Sequence, residues 1–171
     1  MTERPKYHDK RIPEMVAEKL LPKVLEYLRQ NSGADEEDVR KDLRDALRHG
    51  DDDGFTLCYN LKRDCHWDPD SELVEIMDEA GYFRNKSHDE LVQQWVAEEK
   101  IVLSLPVGAT VRVTTRRKFR QPEEEFDGVV TTLLPETARY VIRIPALGHV
   151  EEGIGKTGTT GQYFDKEDVE R

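Results

Sequence analysis

No apolar run in this 171-residue chain approaches the ~20 consecutive residues that a membrane-spanning helix needs, so no such helix and no membrane partner are expected. Cysteine is scarce. Cys58 and Cys65 are the only two, seven positions apart in a segment of helical periodicity. A helix sets them about 10 Å apart along its axis, beyond the reach of a disulfide. A disulfide-stapled secreted scaffold is therefore not expected, and a reducing, cytoplasmic setting is. The stretch from Thr2 to Arg11 is polar and charged and does not read as a secretory leader. Catalytic signatures are missing as well: there is no Gly-x-Ser-x-Gly elbow, no zinc-protease His-Glu pair, and no pair of carboxylates set apart from the rest. The expectation is a protein that is not an enzyme and has no cofactor.

Charge is what the chain has in abundance. Charged residues make up 36%, the same as the hydrophobic fraction, and the net charge is −10. Residues 1–100 hold 25 acidic and 16 basic side chains, or −9, whereas residues 101–171 hold 11 and 10, or −1. So acidic a first part repels phosphate backbones and suits a basic protein surface, or serves solubility alone.

The apolar residues fall into periodic clusters, which marks the chain as folded, and their period changes near Lys100. Residues 1–11 read as a flexible tail. A first helix is expected from Pro13, with Val16, Leu20, Leu21, Val24, Leu25 and Leu28 as its stripe and Pro22 kinking or dividing it. Asp35 should cap a second helix that buries Val39, Leu43, Ala46 and Leu47, with Gly50 stopping it. A third begins within Asp51-Asp52-Asp53 and turns Leu57, Cys58, Leu61 and Cys65 to one side. Asp68-Pro69 signals a fourth that buries Leu73, Val74, Met77 and Ala80 and ends at Gly81. Ser87-His88-Asp89-Glu90 fits a capping box, the start of a fifth helix carrying Leu91, Val92, Trp95 and Val96.

Beyond Lys100 the residues alternate as in strands. Val111 and Val113 mark the first, Phe126 to Leu134 (broken by Gly128) the second, and Tyr140, Ile142 and Ile144 the third. Gln162-Tyr163-Phe164 forms a short last one before a terminal turn. Strands this short and few close most economically into a small barrel. The fold class is thus α+β: about five helices over 12–100, then a small β-barrel over 101–171. Four segments carry a resemblance to the SH3-like barrel class, which includes KOW and Tudor-type modules. They are Pro106 to Val113, Gly128-Val129-Val130, Tyr140-Val141-Ile142 and Phe164 to Val169. The resemblance implies a barrel that binds peptides, methylated residues, RNA or DNA, or that serves as a subunit contact. It assigns no ligand-binding residue here.

Several tempting motifs fail on context. Gly153 to Gly158 satisfies Gly-x-Gly-x-x-Gly and ends like a P-loop, but Val150 stands where the P-loop's first glycine belongs and no helix is expected to follow. Asp51-Asp52-Asp53-Gly54 resembles a calcium loop, yet His49 and Asn60 fall where its first and last carboxylates belong, so a helix cap is the better account. Cys58, Cys65, His66 and His49 match no common zinc spacing, so no metal is expected. Trp67 and Trp95 read as core anchors.

One patch stands out. Arg116, Arg117, Lys118 and Arg120 surround Phe119, with Arg112 on the preceding strand, in what should be the barrel's first long loop. Such a cluster can grip phosphates and stack a base, unless Glu123-Glu124-Glu125 neutralises it in cis. The reading taken is an accessory or regulatory protein of bacterial or phage type that binds a protein partner. Contact would run through the barrel loops (Arg116 to Arg120, and 146–161) and the acidic helical face. Nucleic-acid binding by the basic loop is the alternative, and an accessory subunit of an enzyme is a third.

Overall fold

The computed structural model describes residues 2–31, 35–49, 52–115, 122–147 and 162–169. The architecture is α+β, with five helices followed by a four-stranded antiparallel sheet that curls into a half-barrel. The chain forms two compact units, residues 3–91 and residues 92–171 joined by 1–2.

The helical unit is built on α1 (Ile12–Asn31), α2 (Glu36–Leu47), α3 (Gly54–Cys65), α4 (Ser71–Met77) and the part of α5 (Ala80–Glu99) up to Leu91. Aspartates open three of these helices. Asp35, Asp53 and Asp70 accept hydrogen bonds from the backbone N–H groups of Glu37, Thr56 and Leu73, which have no partner within their own helix. The apolar stripes expected for α1, α2 and α3 supply its core. Ile12, Val16, Leu20 and Val24 pack with Val39, Leu43, Leu47, Leu57, Leu61, Leu73 and Met77, all nearly or fully sealed from solvent. Residues 3–11 are laid against the helices. The His88 ring lies 3.2 Å from the Pro5 carbonyl through Nε2, and the Tyr7 hydroxyl reaches Asp52 at 3.4 Å.

Several features of the helices differ from those expected: α4 opens at Ser71 with Asp70 as its cap, two residues beyond the Asp68-Pro69 signal, and ends at Met77. α1 runs through Pro22 unbroken, because an exposed proline forfeits one hydrogen bond on the solvent side while the buried stripe holds the helix on the other. Gly81 does not end a helix but lies in the first turn of α5. A Cβ there would make only ordinary contact with Asp52, at 3.4 Å, so the helix passes through this position without needing glycine. Ser87 is no cap either. It is fully buried in mid-helix, its hydroxyl without a partner among the described residues, and α5 starts seven residues earlier.

The second unit takes over α5 from Val92. Lys100 ends the helix in a left-handed conformation with φ 53°, the Ile101 N–H returns to the Val96 carbonyl at 3.0 Å, and Ile101 and Val96 both pack against the cluster of Val92, Trp95 and Ala138. This is a Schellman stop built without glycine. The strands are β1 (Thr110–Thr115), β2 (Glu124–Leu134), β3 (Arg139–Arg143) and β4 (Gln162–Asp165), in the order β1-β2-β3-β4. Arg112 pairs with Asp127 across β1 and β2, and Val130 with Ile142 across β2 and β3, with an irregularity between Val130 and Thr132. Curling brings the two edges together: the Thr115 hydroxyl lies 3.3 Å from Oε1 of Gln162. Inside lie Val111, Val113, Phe126, Val130, Tyr140, Ile142, Ile144 and Phe164. Gly128 is required where β2 meets β3, because a Cβ there would strike the Ile142 side chain. A 3-10 turn (Pro135–Thr137) links these strands, and a one-turn helix α6 (Lys166–Val169) follows β4.

Candidate functional site

Of the residues singled out from sequence, the structure places Arg112. It lies on the outer face of β1, exposed, with Nε 3.3 Å from Asp127 Oδ1 and Nη1 3.9 Å from Glu125 Oε2. The register of β1 against β2 sets this up, since Asp127 is its cross-strand partner. Arg112 is thus matched by acidic side chains of the neighbouring strand. Arg116, Arg117, Lys118, Phe119 and Arg120 lie outside the described residues, as do the Gly153–Gly158 motif and most of the 146–161 loop.

The soft-ligand cluster does not assemble. Among the described residues no three histidine, cysteine or carboxylate side chains converge as a metal site would require. Cys58 is buried and Cys65 half-buried, and burial pushes both thiols up to about 11, with nearby aspartates adding to the shift. Neither is a reactive thiolate at neutral pH. Asp53 serves as the α3 cap, which holds its carboxyl below the usual range, and Asp52 pairs with Arg84. Trp67 donates to Asp42 at 2.8 Å and Trp95 to the Thr2 carbonyl at 3.0 Å, each with its ring body in a core cluster.

The helical unit shows what the sequence reading passed over. Phe55, Tyr59 and Tyr82 are 71, 56 and 65% exposed. Phe55 and Tyr59 are four apart on α3 and share a face, and the Arg63 guanidinium sits 5.7 Å from the Tyr59 ring centroid. The signal was in the sequence: both aromatics fall out of phase with the Leu57, Cys58, Leu61 stripe, so burying that stripe leaves them outside. Gly54 fixes the start of this face. Its N–H donates to Asp78 at 2.8 Å, and a Cβ there would collide with the Val74 carbonyl and the Asp78 carboxylate.

The unit's charge is just as localised. Residues 3–50 carry 11 acidic and 11 basic side chains, whereas residues 51–91 carry 12 and 4, so the unit's whole −8 arises in its second part. Part of it lines a groove of about 560 Å³ between α1 and α4. Glu26, Glu72, Glu75 and Glu79 border it with Lys23, which pairs with Glu79, and with Tyr27 and Ile76. Burial raises the Tyr27 hydroxyl above its ordinary pKa, and the hydrogen-bonded Asp70 carboxylate adds to that. No protein-family model, no curated protein and no solved structure matches the chain.

Proposed function

We propose that this protein is an accessory or regulatory factor that binds a basic protein partner through the helical unit. The carrying observation is three exposed aromatic side chains, Phe55 and Tyr59 on one face of α3 and Tyr82 on α5, held outside the core in the half of the unit that bears its entire negative charge. Exposed aromatic side chains supply the anchors of protein interfaces, and acidic surroundings steer a basic partner toward them. The half-barrel, with its resemblance to SH3-like modules, offers a second contact surface through its loops. Nucleic-acid binding is less favoured, because Arg112 already faces Asp127 and Glu125.

The test is quantitative capture from a native extract by the wild-type chain and by a Phe55→Ser/Tyr59→Ser/Tyr82→Ser variant, whose three positions are all exposed. A specific partner is retained by the wild type and reduced at least about tenfold by the variant, the loss expected when interface anchors are removed. It also weakens as salt is raised. Partners captured equally by both proteins, with none depending on the aromatic face, would overturn the proposal.

A further inference from the structure

A second hollow of the helical unit has the opposite lining. Its volume is about 610 Å³, within the range of small-molecule sites. Three parts of the fold meet there: the segment entering α1 (His8, Lys10, Arg11), the end of α2 (Arg48) and α5 (Arg84). Four permanent cations line it against two carboxylates, Asp9 and Glu14, in a chain of net charge −10.

The cations are not equivalent. Arg84 is 2% exposed and is fixed from behind by the Asp52 carboxylate and the Leu47 carbonyl, 3.3 Å from Nη2. Arg11 grips Asp9 through two side-chain bonds of 2.9 Å, and Asp9 also accepts the Arg11 N–H, so this carboxylate is already engaged. Arg48 touches Asp45 through Nη1 alone, at 3.0 Å. Lys10 is exposed and forms no ion pair among the described residues. Glu14, in the first turn of α1, is the opposing charge.

We infer that this hollow binds a small, multiply charged phosphate anion, gripped by Lys10 and Arg48 at the rim over the anchored guanidinium of Arg84. Guanidinium groups match phosphate oxygens in geometry as well as charge, and lysine adds a mobile point charge. Orientation comes from Asp52 and Asp45, which hold two of the guanidiniums in place before any ligand arrives. The inference is independent of the protein-binding proposal and uses none of its residues.

Amide-resolved NMR titration of the full chain with inorganic pyrophosphate, and separately with citrate, at matched ionic strength is the direct test. Saturable shifts are expected over residues 8–14 and at Arg48, stronger for pyrophosphate than for citrate. Lys10→Ala/Arg48→Ala should weaken the apparent affinity at least about tenfold, whereas Lys41→Ala/Lys86→Ala, which removes equal charge elsewhere, should change it less than about twofold. Glu14→Gln should tighten binding about threefold by removing the opposing charge. Equal weakening by both double variants, or shifts that do not saturate or that map elsewhere, would overturn the inference. A clear preference for citrate would overturn the phosphate assignment.

Discussion

The hollow at the start of α1 and the groove between α1 and α4 belong to one helical unit and are close in volume, about 610 and 560 Å³. Their linings oppose each other: four cations against two carboxylates in the first, four glutamates against one lysine in the second. Local stability does not call for this segregation, since like charges brought together repel and interspersed ones do not. A net charge of −10 therefore conceals two surfaces of opposite preference. The lesson is that charge has to be read by place, and that places where like charges gather are candidates for contact with something else.

Arg84 is the sharpest point at which to break the contrast. Replacing it with methionine strips the first hollow of its base and leaves Asp52 beside it without its guanidinium. Because Asp52 keeps partial contact with water, the expected loss is about 2–3 kcal/mol, below the ~3–5 kcal/mol of a fully buried pair that is broken. Urea denaturation would measure it, and an unchanged midpoint would show that Arg84 is not structural. In the acidic groove, Tyr27→Phe removes a hydroxyl hydrogen-bonded to Asp70 and should cost about 1 kcal/mol by the same measurement.

The basic hollow should also reveal itself in acid. Hydrogen bonds from the Arg11 side chain, followed by a backbone bond, lower the Asp9 carboxyl from 3.8 to about 2. A carboxyl depressed on folding stabilises the protein fully above its unfolded pKa and loses that contribution as pH falls through its folded value. Asp9→Asn should therefore flatten the fall in melting temperature between about pH 4 and pH 2, the window between those two values. A wild-type acid limb in the variant would refute the role of Asp9. Smallest of all is Glu75→Gln, which relieves repulsion in the groove and should stabilise by about 0.3 kcal/mol. High salt should erase that difference.

Much of the fold was legible because it follows from local rules. The stripe of α2, the caps at Asp35 and Asp53 and the alternation around Val111, Val113 and Ile142 depend on near neighbours, and the structure has them where periodicity puts them. Pro22, Gly81 and Ser87 were misread for one shared reason. Each is a residue type that usually interrupts or starts a helix, and in each case packing across the unit outweighs that preference. The candidate sites were less legible. Arg84 and Asp52 are 32 residues apart, and the first hollow draws on three separate segments, so no spacing announces either. The aromatic face could have been read from phase alone, since Phe55 and Tyr59 share a spacing that the core stripe of α3 does not use.

Ala138 shows how narrowly one position can be specified. It closes the turn between β2 and β3 in a left-handed conformation with φ 50°, is fully buried, and joins the cluster of Val92 and Trp95, while its carbonyl receives the Lys166 N–H at 3.0 Å. Backbone geometry favours glycine there, and the packed cluster favours a single methyl group. The two demands intersect at alanine, with glycine the only near substitute. A saturation library at this codon should return little else, making position 138 a one-letter signature by which other chains with this turn could be recognised.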